Sequence, residues 1–235
     1  MARLYIFAEG QTEQTYAGTV LKKHLAAFGV YVQGPVLVAH ARKGGVIHRG
    51  GGRRYLPMKH DIERFLKQEK ADDVFFTTMI DLYALPADFP GRDEAEQLRN
   101  SPHDRVQELE KCFAADVNDP HGHPTRFIPH IQLHEYEAIL FCRPSCFSSF
   151  FDDCSKQIEQ LEIIAQDHES PELIDDGQHT APSKRIQEHF PDYAGAKSVA
   201  GPRIAEEIGL QAVRGCSPHF HEWLKRLESL SNPDK

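Results

Sequence analysis

The sequence predicts an α/β fold, a Rossmann-like, mainly parallel sheet flanked by helices, with a helical C-terminal extension. Three observations predict it. Short apolar runs at residues 4–8 and 74–80 close on turn signals, as buried strands do. Stretches with apolar residues at helical spacing lie between the strand runs. After Pro144 the strand signals stop and only helical patterns follow. The resulting order β-α-β-α-β-α-β-α implies parallel strands joined by crossovers.

Taken in order, residues 4–8, LYIFA, form the first strand, ending at Glu9 and Gly10. Gly10 permits a tight turn, and Thr12 is expected to cap a helix with Glu13 in its first turn. That helix runs over 12–28, with Tyr16, Val20, Leu21, Leu25 and Phe28 on one face and Gly29 as the stop. Residues 36–39 are the second strand. Residues 42–54, RKGGVIHRGGGRR, are too glycine-rich for a helix or a strand interior. A second helix spans 56–70, with Ile62, Phe65 and Leu66 turned inward, and a third strand spans 74–80 and ends in Asp81. The loop LYALPADFPG is punctuated by Pro86, Pro90 and Gly91. A third helix covers 104–115 with Val106, Leu109, Cys112 and Phe113 as its stripe. A fourth strand covers 126–133 and runs into His134-Glu135-Tyr136-Glu137, with a short helix at 138–141.

The remainder reads as helical at 145–166, 182–190, 198–208 and 217–230, around a polar, acidic loop at 167–181. The last helix, with Phe220, Trp223, Leu224 and Leu227 at helical spacing, is expected to pack on the sheet domain. The domains expected are a core over 1–143 and a helical extension over 144–235.

A chain of 235 residues with 40% hydrophobic residues suffices for a core. No run approaches the roughly 18 apolar residues of a membrane span. The sequence enters its first strand without a signal-peptide segment, so a soluble cytoplasmic protein without membrane contact is expected. Five cysteines without a CxxC point to free thiols in a reducing compartment, rather than disulfides or a zinc ribbon. A net charge of −8 excludes a general nucleic-acid coat, so any polyanion site must be local. Fourteen histidines invite a search for metal spacing. No HExxH occurs, since His134-Glu135 is followed by Ala138 where a second histidine would stand. The pairs His121/His123 and His219/His221 lack cysteine partners at zinc-finger spacing.

Carboxylates mark three strand ends: Glu9, Asp81, and Glu135 with Glu137. In a parallel sheet these ends share the edge where ligands bind. Hard oxygens gathered there suit magnesium or manganese and an acid/base role. Helix N-terminal use is the other explanation for Glu13 and for one of Glu135 and Glu137. Two stretches could hold a phosphodiester opposite the metal. One is the 42–54 loop, with Arg42, Lys43, Arg53 and Arg54 among glycines whose N–H groups are open to phosphate, though it lacks the P-loop order. The other is Pro182-Ser183-Lys184-Arg185, where Lys184 or Arg185 would stabilise transition-state charge. Lys197 is a third candidate cation.

Four motifs carry a resemblance. They are Glu9-Gly10-x-Thr12-Glu13; Asp81-x-Tyr83-x-Leu85-Pro86 with Asp88-Phe89-Pro90-Gly91; His134-Glu135-x-Glu137-Ala138-Ile139-Leu140-Phe141; and Pro182-Ser183-Lys184-Arg185-Ile186. Together they resemble a bacterial domain-of-unknown-function family grouped with Toprim-like proteins, related to RloB-type and AbiL-type abortive-infection proteins. The resemblance covers nearly the whole chain. It implies a Toprim-like fold, often encoded beside an ABC/SMC-like ATPase in phage-defence loci. Toprim enzymes use a Glu after the first strand and an Asp-x-Asp after a later one, and bind one or two magnesium ions for phosphodiester chemistry. Glu9 and Asp81 match the first two positions, and Tyr83 stands at the second Asp position. Asp88, Glu135 or Glu137 then completes the metal set, or the site is degenerate.

The resulting expectation is a magnesium- or manganese-dependent nuclease acting on nucleic acid. Its catalytic residues would be Glu9, Asp81, Glu135, Glu137 and Lys184. Metal ligands would come from Glu9, Glu13, Asp81, Asp88, Glu135 and Glu137, and substrate contacts from Arg42, Lys43, Arg53, Arg54 and Arg185. The alternative is a catalytically inactive nucleic-acid- or nucleotide-binding subunit that regulates the ATPase. Homo-oligomerisation is left open.

Overall fold

The computed structural model describes residues 1–43, 46–49, 54–117, 121–123, 125–174, 177 and 179–231. The chain divides into two compact units. The first comprises Met1–Ile131 with the segment that starts at Lys225, and the second is Gln132–Leu224. The sequence had placed its single boundary between 143 and 144.

The first unit is built on a parallel sheet. Strand β1 (Ala2–Ala8) leads through helix α1 (Gln11–Tyr16), a π-helical segment (Ala17–Leu21) and helix α2 (Lys22–Ala26) into β2 (Val30–Val32). Of the apolar face read from the sequence, Tyr16, Leu21 and Leu25 are fully buried, Val20 is half-buried and Phe28 is exposed. The helix caps on Gly10 rather than Thr12. β2 is a strand the sequence reading missed; three residues carry too little pattern to declare themselves. It pairs with the start of β1, and β3 (Val36–Leu37) pairs with its end, both parallel.

A two-stranded antiparallel hairpin follows, β4 (Ala39–Lys43) with β5 (Val46–Arg49). This corrects the expectation that 42–54 holds no strand. Val46 and Ile47 favour extended backbone, and the glycines fall between or after the strands rather than inside them. Helix α3 (Tyr55–Gln68) buries Met58, Ile62 and Leu66. Its C-terminal end is closed by Arg126, a side chain only 2% exposed. The Arg126 guanidinium donates to the carbonyls of Leu66, Glu69 and Ala71 at 2.9–3.3 Å and lies over the Phe76 ring.

Strand β6 (Val74–Asp81) is buried along nearly its whole length and pairs in parallel with β1 from Arg3↔Val74 to Ala8↔Met79. Helix α4 (Arg92–Glu96), another element missed, starts at Gly91 with φ +78°, where an added Cβ would lie 2.6 Å from Cys112. Only glycine fits that backbone and that space. Helix α5 (Pro102–Asp116) buries Val106, Leu109 and Phe113, and Phe113 meets Tyr55, Phe89 and Phe127 in edge-to-face contacts.

The long strand expected at 126–133 is two short ones, β7 (Phe127–Ile128) and β8 (Ile131–Gln132). Pro129 has no N–H to give the ladder. The buried hydroxyls of β6 take over: Thr77 donates to the Ile128 carbonyl, and Thr78 exchanges bonds with both the carbonyl and the N–H of His130. The sheet order is β2-β1-β6-β7, with β8 also paired to β6.

The second unit is helical. A 3-10 segment (Tyr136–Cys142) and another (Pro144–Ser149) precede α6 (Ser155–Gln166), α7 (Pro182–His189), α8 (Tyr193–Ile208) and α9 (Leu210–Cys216). Helix α10 (Pro218–Glu228) contains the boundary at Leu224. Ile139, Leu140, Phe147, Leu161, Ile174, Ile186, Tyr193, Ile204 and Phe220 form its core. Cys142 and Cys216 are joined by a disulfide across a sequence separation of 74. That corrects the expectation of free thiols for this pair, which spacing alone could not reveal, while Cys112, Cys146 and Cys154 are free. No described helix is long and apolar enough to cross a membrane.

Candidate functional site

The residues singled out in the sequence divide between the two units. In the first unit, β1 and β6 lie side by side and in parallel, so Glu9 and Asp81 emerge together at the carboxyl edge of the sheet. The Glu9 N–H continues the ladder to the Met79 carbonyl at 3.0 Å. Glu9 Oε2 then accepts the backbone N–H of Asp81 at 2.9 Å. One carboxylate is thereby clamped to the residue that carries the other. Asp81 is only 8% exposed.

Two neighbouring carboxylates have helix-terminal bonds. Glu13 Oε2 accepts the Gly10 N–H at 2.8 Å, closing the first turn of α1. An added Cβ at Gly10 would sit 2.9 Å from that oxygen, so the end of the Glu13 side chain would have to shift. Asp88 Oδ1 accepts the Tyr55 N–H at 3.0 Å and caps α3.

The basic stretch offers less to describe. Arg42 and Lys43 lie in β4, paired with Ile47 and Val46, and their side chains fall outside the described residues, as does Arg53 altogether. Arg54 precedes α3 and is exposed.

In the second unit, His134 has φ +61°, a left-handed conformation that non-glycine residues adopt at a cost. It precedes Glu135, whose extended backbone starts the 3-10 turn that holds Glu137. The two carboxylates take different partners. Glu135 Oε2 accepts the Ser183 N–H at 2.8 Å in the first turn of α7. The third and fourth sequence motifs thus meet, with Lys184 next in the chain. Lys184 is exposed, and no described side chain pairs with it. Arg185 is engaged locally, its Nε donating to the Thr180 carbonyl at 2.7 Å.

Glu137 is wholly buried and accepts from the Tyr193 hydroxyl at 3.0 Å, while its other oxygen lies 3.0 Å from Lys197 Nζ. Tyr193 was not among the candidates. The signal for it was its place four residues before Lys197, on one face of α8. Lys197, the third candidate cation, forms an ion pair with this buried carboxylate.

A cavity of about 430 Å³ in the first unit, lined by Gln107, Glu110, Lys111, Phe127 and Ile128, contains none of these residues. The chemistry of the strand ends, not this cavity, marks the candidate site.

Residues 8–228 match the family model described as a domain of unknown function, DUF4276. This agrees with the resemblance read from the four motifs. No curated protein matches the chain. Among solved structures, the chain is similar to the C-terminal region of the Burkholderia pseudomallei OLD protein, at 14% identity and a TM-score of 0.46, covering 97% of this chain and 98% of that one. It is also similar to the C-terminal region of the Xanthomonas campestris pv. campestris OLD protein, at 12% identity and a TM-score of 0.40, covering 98% and 94%.

Proposed function

The chain belongs to the DUF4276 family, and from that premise we propose that it is a metal-dependent nuclease of Toprim type, hydrolysing phosphodiester bonds in nucleic acid. The observation that carries the reading is the Glu9–Asp81 clamp at the carboxyl ends of two adjacent parallel strands. Carboxylates at two adjacent strand ends offer hard oxygens to a cation, whose charge would favour their ionised forms.

The donor set fits a hard divalent cation, since both side chains offer carboxylate oxygens. Glu9 and Asp81 would hold magnesium or manganese, which when bound lowers the pKa of a water and offsets charge on the phosphoryl oxygens. The protein's own part is positional. The Asp81 N–H fixes the Glu9 carboxylate, and the buried strand β6 fixes Asp81. The wider assignment, an effector in phage defence with an ABC/SMC-like ATPase partner, rests on the motif resemblance and is proposed with it.

The test is a cleavage assay on the full chain with single-stranded DNA, duplex DNA, structured RNA and transfer RNA, in magnesium, manganese or chelator. Metal-dependent cutting that is lost in Glu9→Ala and Asp81→Ala supports the nuclease. Running Glu135→Gln and Lys184→Ala beside them reads whether residues of the second unit serve the same reaction. A folded protein that cuts nothing, alone or with the proposed ATPase partner, overturns the reading in favour of a non-catalytic binding subunit.

A further inference from the structure

Tyr83 lies two residues beyond Asp81 in a tight turn. The turn is closed by the Ala84 N–H on the Asp81 carbonyl at 3.2 Å and the Leu85 N–H on the Leu82 carbonyl at 3.4 Å. Its flanking side chains are anchored: Leu82 is 4% exposed and Leu85 is 8%. Tyr83 itself is 52% exposed. No described residue makes a hydrogen bond, ion pair or ring contact with its side chain.

A single exposed aromatic is ordinary on a protein surface. This one is held on a pinned backbone two residues beyond Asp81, whose N–H donates to Glu9.

We infer that Tyr83 is a stacking platform for an unpaired base, and that the substrate is single-stranded nucleic acid or a single-stranded segment. The inference rests on the nuclease reading and names its substrate class. In a duplex both faces of a base are covered by its neighbours, whereas in a single strand a face is free to meet the ring. Every base has such a face, so the contact tolerates sequence. The net charge of −8 disfavours affinity from phosphate neutralisation alone, which gives stacking a larger share.

The experiment measures binding of a short single-stranded oligonucleotide containing 2-aminopurine, and of its duplex, with calcium replacing magnesium to hold off cleavage. Wild-type, Tyr83→Phe and Tyr83→Ala proteins are compared. Tyr83→Ala is expected to weaken single-strand binding about tenfold, the effect of one lost stacking contact, and to abolish the 2-aminopurine fluorescence change. Tyr83→Phe is expected to stay within about twofold, because the ring carries the contact. Single-strand binding and fluorescence unchanged in Tyr83→Ala overturn the inference and leave the nuclease reading standing. So does an equal loss on duplex, which would mark a general contact. A wild-type protein that neither binds nor cuts either polymer overturns both.

Discussion

Glu9 holds the Asp81 N–H at 2.9 Å, so the ends of β1 and β6 are tied by a side chain one step beyond the last ladder bond. The bond uses one acceptor of Glu9, and glutamine carries an acceptor of the same shape. Glu9→Gln is therefore expected to keep stability within about 0.5 kcal/mol, while Glu9→Ala loses about 1 kcal/mol because a part-buried N–H loses its partner. Urea denaturation measures both. Under the proposed function both variants are inactive, so the pair separates loss of a ligand from loss of a clamp.

Arg126 supplies a different kind of closure. Its buried guanidinium serves three carbonyls at the end of α3. Arg126→Leu is expected to cost roughly 3–5 kcal/mol, since the carbonyls lose their donors in a dry setting. Arg126→Lys is expected to recover only part, because an ammonium cannot reproduce the planar fork. Thermal and urea melts are the measurement.

Asp116 links stability to pH. Burial pushes its carboxyl up, but the Tyr55 hydroxyl at 2.6 Å and Lys59 at 2.9 Å outweigh that and hold it below the ordinary value of 3.8. A carboxyl depressed on folding contributes stability that is present above its unfolded value and lost as pH falls through its folded value. The gap in stability between wild type and Asp116→Asn is therefore expected to be constant near neutrality. It should shrink below about pH 4. Denaturant melts across an acid series measure it.

The Cys142–Cys216 bridge makes a count. Without reductant, the denatured chain is expected to take up alkylating agent at three cysteines, Cys112, Cys146 and Cys154, and with reductant at all five. Mass spectrometry reads the difference. Cys216→Ser is expected to lower stability by about 2–4 kcal/mol under oxidising conditions and to have little effect under reducing ones.

The sequence was most legible where one residue type dominates a long segment. β6 announces itself as an apolar run, and α3 and α5 by their stripes. β2 and α4 are too short to show a period, and only the surrounding sheet and helix α5 fix them. The strand near Pro129 was read too long because the compensating hydroxyls of Thr77 and Thr78 lie some fifty residues away in the chain. For the candidate site, the parallel order was enough to place Glu9 beside Asp81. The separate partners of Glu135 and Glu137 were not visible, since Ser183, Tyr193 and Lys197 reach them only through the tertiary packing of the helices.

The first unit is discontinuous, and this orders events at the ribosome. All of Gln132–Leu224 is synthesised before the segment that completes the sheet-bearing unit. His24 meets Glu228 at 2.6 Å, and the Ser231 hydroxyl reaches the Phe28 carbonyl, only once that last stretch has emerged. A nascent chain halted at Leu224 thus holds every residue of the second unit while the first is still open at α2. The sheet-bearing unit therefore gains its last contacts at α2 only after all of the second unit has been made.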